Sequence, residues 1–265
     1  MQDLSAASQM RLVAIPRLAA GGRWRVEAMR SISEPMFLWF TKGQGRITIA
    51  GVTRGYTAFN AIFIPAGVMH GFEVGPQVFG SAIFFGRNPT VALPTIPHHL
   101  RIRETHLQQE LNLILDAMQR EIDSDSPAHE RATQNYLGLA SVWLERQISR
   151  AEPEPKRPDA ARRLVARYAQ LLEREFRSGM GVADFAAALD VTPTHLTRCC
   201  KQASGRPASA LLHDRLIFEA RRLLTETDLP VGLIAGSLGF TSPAYFTRAF
   251  QHQVGKSPTA FRRAP

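Results

Sequence analysis

Arg198 and Arg248 stand fifty residues apart, and each follows a threonine, Thr197 and Thr247. At the same offset Leu196 matches Phe246, Gly205 matches Gly255, Ala210 matches Ala260 and Leu211 matches Phe261. A guanidinium beside a hydroxyl suits the reading of nucleic acid. Arginine addresses guanine through two parallel N–H donors, whereas hydroxyls and other cations hold phosphate oxygens and fix the register. The candidate DNA contacts of the first copy are Thr194, His195, Thr197, Arg198 and Lys201. Those of the second are Ser242, Ala244, Tyr245, Thr247, Arg248 and Lys256, with Arg262 and Arg263 as further phosphate anchors.

Other chemistry is poorly supplied. The eight histidines are His70, His98, His99, His106, His129, His195, His213 and His252, and only His70 falls in a strand-rich region. No His-x-His pair stands near Ile32-Ser33-Glu34, and one imidazole cannot furnish a first-row metal site of three protein ligands. Metal catalysis is therefore not expected, no cofactor is implied, and the chain reads as a non-enzyme. His70 reads either as a turn residue bonded to nearby backbone or as a ligand contact, and His98-His99 as part of a solvated, proline-rich connector. Cys199 and Cys200 are adjacent on one helix, which forbids a bridge between them. Cys200 reads as a small core residue where the second copy has Phe250, with a thiol switch as the competing reading.

The elements that must position the two arginines are legible. A short apolar helix precedes each copy, Phe185–Leu189 and Ile234–Leu238, and a tight turn follows it. The turn needs a residue tolerant of positive φ, and Gly239 and Asp190 qualify. Thr192 and Ser242 are N-caps, and Pro193 and Pro243 then occupy the first helical position, where a missing N–H costs nothing. Leu196 and Cys200, or Phe246 and Phe250, turn inward, and Gly205 and Gly255 end the helices. This is a helix-turn-helix written twice.

Charge agrees with that reading. Residues 1–155 hold 15 Lys and Arg against 14 Asp and Glu, but residues 156–265 hold 17 against 9. Almost the whole net charge of +9 therefore sits in the doubled part, as phosphate neutralisation requires.

The run Gly205–Leu216, then Ala220-Arg221-Arg222-Leu223-Leu224, and the stretch Ile234–Phe250 closing with Gly255-Lys256-Ser257-Pro258 and Phe261-Arg262, resemble the AraC/XylS family of bacterial transcription regulators. The resemblance covers roughly the last hundred residues. Gln251 stands where that family usually has lysine, and Cys199-Cys200 replace a bulky pair. The resemblance implies promoter DNA and RNA polymerase as partners, a small-molecule effector, activation rather than repression, and a homodimer.

Before this part, short apolar runs alternate with Gly, Pro and Asn. They are Trp24-Arg25-Val26, Met36–Thr41, Arg46–Ile49, Ala61–Ile64 and Ser81–Phe85, with Gly43-Gln44-Gly45 as a hairpin turn. Pro65–His70 resembles the second motif of cupin barrels. Trp24, Trp39, His70 and Phe72 are the candidate effector-binding residues. Two helices follow. One carries Leu107, Leu111, Ile114, Leu115, Met118 and Ile122; the other carries Tyr136, Leu139, Ala140, Trp143 and Ile148. Both stripes read equally as core and as a dimer seam.

The expected fold is a two-domain α+β chain, with an N-terminal cupin-like β-barrel plus two helices and a C-terminal all-α domain with two helix-turn-helix motifs. The expected divisions are a sensing barrel at 1–99, a helical pair for dimerisation at 100–149, a proline-rich linker at 150–158 and a DNA-binding domain at 159–265. The two motifs fall at about 182–203 and 231–253. The N-terminus lacks the apolar core of a signal peptide and no membrane-spanning stretch is present, so the expected setting is the bacterial cytoplasm, at the nucleoid. The expected function is a sequence-specific, effector-responsive transcription regulator. The alternatives are a cupin-type metalloenzyme fused to DNA-binding helices and a DNA binder without an effector.

Overall fold

Alternation of Met36, Leu38 and Phe40 with Phe37 and Trp39 sends neighbouring side chains to opposite faces of one sheet, and all five are 0–1% exposed. A strand buried on both faces needs a layer on each side. The computed structural model, which describes residues 10–151 and 159–263, supplies both. Its strands are β1 (Arg11–Ala14), β2 (Met36–Lys42), β3 (Gln44–Ile49), β4 (Val52–Thr57), β5 (Asn60–Ile64), β6 (His70–Phe72), β7 (Phe79–Phe84) and β8 (His98–Arg101). The first sheet has the order β1-β7-β2-β5-β8 and the second β4-β3-β6, antiparallel throughout.

Met36, Leu38, Phe40, Ile62, Ile64 and Ala82 meet Ile47, Tyr56 and Phe72 of the second sheet in one core. Phe37, Trp39, Phe63 and Ile83 face the other way, against α3 (Thr105–Ile122) and α4 (His129–Arg150), where they pack on Leu111, Met118, Leu137 and Trp143. The N-terminal part is thus sheet on sheet on helix pair.

Four expectations are corrected here. The strands form two open sheets rather than a closed barrel: β1 and β8 edge one sheet, β4 and β6 the other, and among the described residues no ladder joins them. After a first helical turn, α1 (Ile15–Leu18), Trp24–Glu27 is a second (α2), not a strand, since the positive φ of Gly21 and Gly22 turns the chain just before it. Around Gly43 there is no hairpin. β2 and β3 do not pair, so the chain crosses between sheets there, and the tight hairpin lies at Ala50-Gly51. Their φ values of 48° and 76° are those of a primed turn, whose twist matches the flanking strands. His98 and His99 belong to β8 and are half-buried against β5, with the His99 Nε2 3.1 Å from Asn60 Oδ1.

The helical stripes split. Leu107, Leu111, Leu115, Met118, Ala140 and Trp143 are buried, but Leu139 is 51% and Val142 40% exposed, three residues apart on one side of α4. The expected linker falls largely on residues 152–158, outside those described.

The C-terminal helices are α5 (Ala160–Glu175), α6 (Val182–Ala188), α7 (Pro193–Ser204), α8 (Ala208–Glu226), α9 (Val231–Ser237), α10 (Pro243–Val254) and α11 (Pro258–Arg263). They share one core, with Tyr168, Phe185, Leu196, Leu211, Ala220, Phe246 and Phe250 all buried in it. The Tyr168 hydroxyl donates to Ala208 O at 2.9 Å, tying α5 to α8. Among the described residues no helix is long and apolar enough to cross a membrane.

Candidate nucleic-acid interface

Each arginine-bearing helix is held by the same local devices. In α7 the Thr192 hydroxyl accepts from His195 N at 3.2 Å, and in α10 the Ser242 hydroxyl accepts from Tyr245 N at 3.2 Å. Gly205 and Gly255 close the helices in the left-handed region, at φ 73° and 78°. The turns that aim them differ in residue but not in conformation: Asp190 has φ 59° and Gly239 φ 76°. At Gly239 a Cβ would lie 2.4 Å from Gly179 N and 2.7 Å from Arg177 O. Gly239→Ala therefore combines backbone strain with a clash against main chain, and should cost more than about 1 kcal/mol. Asp190→Gly should be far milder. Urea unfolding of the two variants checks the contrast.

Leu196, Cys199 and Cys200 are buried on α7, and Phe246 and Phe250 on α10. That leaves Thr194, Arg198 and Lys201 exposed, with His195 and Thr197 half-buried beside them. On α10 Ala244, Tyr245 and Arg248 are exposed, and Ser242 and Thr247 half-buried; Lys256 is exposed just past the helix. The structure thus groups the named residues into two outward stripes, one per helix, on a common core. Not all their polar atoms point away from the protein. Thr247 Oγ1 donates back to Pro243 O at 2.9 Å, so its methyl is the more available group.

Arg198 Nη2 lies 3.0 Å from His195 Nδ1. With the guanidinium donating, Nδ1 is the acceptor and the ring hydrogen sits on Nε2, 3.6 Å from Cys199 Sγ. His195 therefore braces Arg198 at the helix surface, a role that spacing alone did not suggest. Burial pushes the Cys200 thiol up to about 12, helped by neighbouring Cys199. This keeps it an unreactive core thiol.

A buried ionic cluster beneath the helices was not anticipated. Arg215 grips Glu173 with Nε at 2.8 Å and Nη2 at 2.9 Å, a fork that joins α8 to α5. Glu219 receives Arg215 Nη1 at 3.1 Å and Arg177 and Arg222 Nη2 at 2.6 Å each. Burial pushes the Glu219 carboxyl up. The Arg222 hydrogen bond and the charges of Arg215 and Arg222 outweigh that and hold it at about 2. Helical spacing pairs Glu219 with Arg215 at i, i+4 and with Arg222 at i, i+3, but only the packing of α8 against α5 reveals that the pair is buried and reaches Glu173 and Arg177.

The four candidate effector residues go to three places. His70 and Phe72 point between the two sheets. Trp39 faces the helix pair and donates Nε1 to Asn112 Oδ1 at 2.8 Å. Trp24 packs against the C-terminal part, 5.7 Å from Phe218 and 6.1 Å from Phe261 between ring centroids. His70 Nδ1 is 2.8 Å from Val68 O, the backbone bond expected of it, although in a fully buried strand. Burial, then the Arg30 charge, lowers the His70 pKa to about 3. The unfolded chain protonates near 6.5, so it binds the extra proton between pH 6.5 and 3. Stability should fall over that window on acidification, by up to about 1.4 kcal/mol per pH unit. His70→Gln should flatten the slope by one proton's worth in denaturant titrations at pH 7 and 5.

Comparison with known proteins places the C-terminal part. A helix-turn-helix domain model matches residues 185–264. The HTH-type transcriptional regulator YisR of Bacillus subtilis is 28% identical over 106 residues, 40% of this chain and 37% of that protein. The HTH-type transcriptional activator RhaS of Klebsiella pneumoniae is 27% identical over 167 residues, 63% of this chain and 58% of that one. The arabinose operon regulatory protein of Escherichia coli is 29% identical over 85 residues, 32% and 29% of the two chains. The matched region thus spans between 29% and 58% of these relatives' own lengths. With two capped arginine-bearing helices on one core, the C-terminal part carries a helix-turn-helix domain similar to those of AraC-type transcription regulators.

Proposed function

We propose that the protein is a sequence-specific transcription activator of the cytoplasm that binds promoter DNA through α7 and α10, responds to a small molecule through its N-terminal sheets, and acts on RNA polymerase as a homodimer. The observation that carries the reading is the pair of outward stripes centred on Arg198 and Arg248, set on one shared core. Two recognition helices about one turn of duplex apart, roughly 34 Å, enter successive major grooves on one side of the DNA. Arg198 and Arg248 read base edges, Thr194, His195, Thr197, Ser242, Ala244, Tyr245 and Thr247 tune the choice, and Lys201 and Lys256 hold phosphate. Binding of an effector shifts the populations of arrangements that hold the two DNA-binding parts differently.

Selection from random duplex followed by footprinting tests this. Two protected major-groove segments on one face of a preferred fragment are expected; protection without sequence preference sinks it.

The dimer contact is assigned to α4, where Leu139 and Val142 expose apolar surface on one side. Leu139→Glu should leave folding intact, since the residue is exposed, and shift the protein to monomer in sedimentation. An unchanged oligomer would move the contact elsewhere.

A further inference from the structure

Arg30 and His70 oppose each other across an antiparallel bridge beside β6, each backbone N–H donating to the other's carbonyl at 2.9 and 2.7 Å. Directly opposed residues send their side chains to the same face. Here that face is the inner one. His70 alternates with Phe72 and Arg30 with Ile32, both of which pack in the core between the two sheets. The guanidinium lies 5.9 Å from the Phe72 ring centroid.

Neither polar group is complete. Arg30 is 7% exposed and donates Nη1 to Val26 O at 2.7 Å, but among the described residues it meets no carboxylate. A guanidinium buried without a counter-charge is costly. His70 is fully buried. Its Nδ1 donates to Val68 O, which leaves Nε2 as a lone-pair acceptor, and among the described residues that atom has no hydrogen-bond partner. Side by side, therefore, stand an uncompensated cation and an orphan acceptor.

The reverse face of the same two segments touches the DNA-binding helices. Met29 and Met69, each one residue before the bridge, are buried in the core of α5–α11. Ser31, one residue after Arg30, donates Oγ to Glu173 Oε1 at 2.6 Å, the carboxylate that Arg215 grips.

We propose that Arg30 and His70 bind a small organic acid between the sheets, and that its presence is transmitted to the DNA-binding helices through Met29, Ser31 and Met69. The proposal rests on the reading of the N-terminal part as the sensor, and names the chemistry of its ligand. Arg30 takes the carboxylate, the partner for which a guanidinium fork is shaped. His70 Nε2 accepts from a hydroxyl or amine on the neighbouring carbon. A neutral ligand leaves Arg30 uncompensated, and an acid without a donor leaves His70 as it is.

The test uses the full chain, with formate, acetate and glycolate as probes and chloride at matched ionic strength as control. Formate should raise the melting temperature saturably where chloride does not. Glycolate, which adds a hydroxyl to acetate, should half-saturate at a lower concentration. Arg30→Met should weaken all three probes by roughly ten- to hundredfold. His70→Phe should erase only the glycolate advantage. If Arg30→Met does not fold, Arg30→Lys keeps the charge, loses the fork and should still weaken binding. Equal shifts by formate and chloride, or shifts untouched by the Arg30 variants, overturn the acid site. Saturating glycolate should also change affinity for a selected DNA fragment, and Ser31→Ala should shrink that change without altering glycolate binding; constant DNA affinity overturns the transmission. DNA selection on the same preparations separates the two readings. Selectivity without acid dependence sinks the acid site alone, and acid binding without selectivity sinks the regulator.

Discussion

Arg198→Ala is expected to weaken binding to the preferred DNA fragment by about 1–3 kcal/mol and to relax base preference at one position of the site. The size follows from the loss of a two-pronged donor that only the correct base can satisfy. The effect should be local, because Arg198 is exposed and its side chain, among the described residues, bonds only to the His195 ring. Lys201→Ala, by contrast, should weaken all sequences alike and lower the salt slope by about one, as loss of a single phosphate contact does. Arg248→Ala should relax a second position about one helical turn away from the first. Parallel binding-site selections with the three variants read this out. A base preference left intact by Arg198→Ala would remove that residue from base reading, whatever its effect on affinity.

Loss of the Glu219 carboxylate should be the costliest single substitution. Glu219→Ala is expected to destabilise the C-terminal core by about 3 kcal/mol, towards the lower end of the range for breaking a buried pair. The lower end is chosen because Arg215 keeps its fork on Glu173, at 2.8 and 2.9 Å. Arg177 and Arg222, both partly exposed, can return to water. The acid dependence follows with a definite sign. A folded pKa of about 2 against an ordinary value of 4.5 gives stability that is complete above pH 4.5 and is lost as pH falls from there towards 2. Urea titrations of the wild type and Glu219→Ala at pH 7 and pH 3 measure both. The stability gap should narrow at the lower pH, and a constant gap would mean that the carboxylate contributes through packing rather than charge.

The helix-turn-helix copies were readable because their instructions are local. An N-cap hydroxyl reaches a backbone N–H three residues on, a proline at the first helical position needs no donor, and a terminal glycine takes the left-handed conformation unaided. Thr192, Ser242, Gly205, Gly255 and even Asp190 therefore do in the structure what their types suggest. The N-terminal half was read less well. Val52–Thr57 carries no clean alternation, yet it pairs through the Ala50-Gly51 turn. Trp24-Arg25-Val26 is apolar enough for a strand, but the two glycines before it turn the chain into a helix. Short apolar runs do not by themselves say which sheet they join.

What the chain's own order of residues determined is the doubled reading unit, its caps and turns, and the basic balance of the last 110 residues. All of these depend on neighbours within a few positions or on composition. The tertiary structure decided which polar groups are left facing one another in the dark: Arg30 beside His70 between the sheets, and Glu219 among three arginines under the helices. The Arg30–His70 and Arg177–Glu219 contacts join segments about forty residues apart, and burial is what gives these groups energetic weight, since the same charges in water would interact weakly.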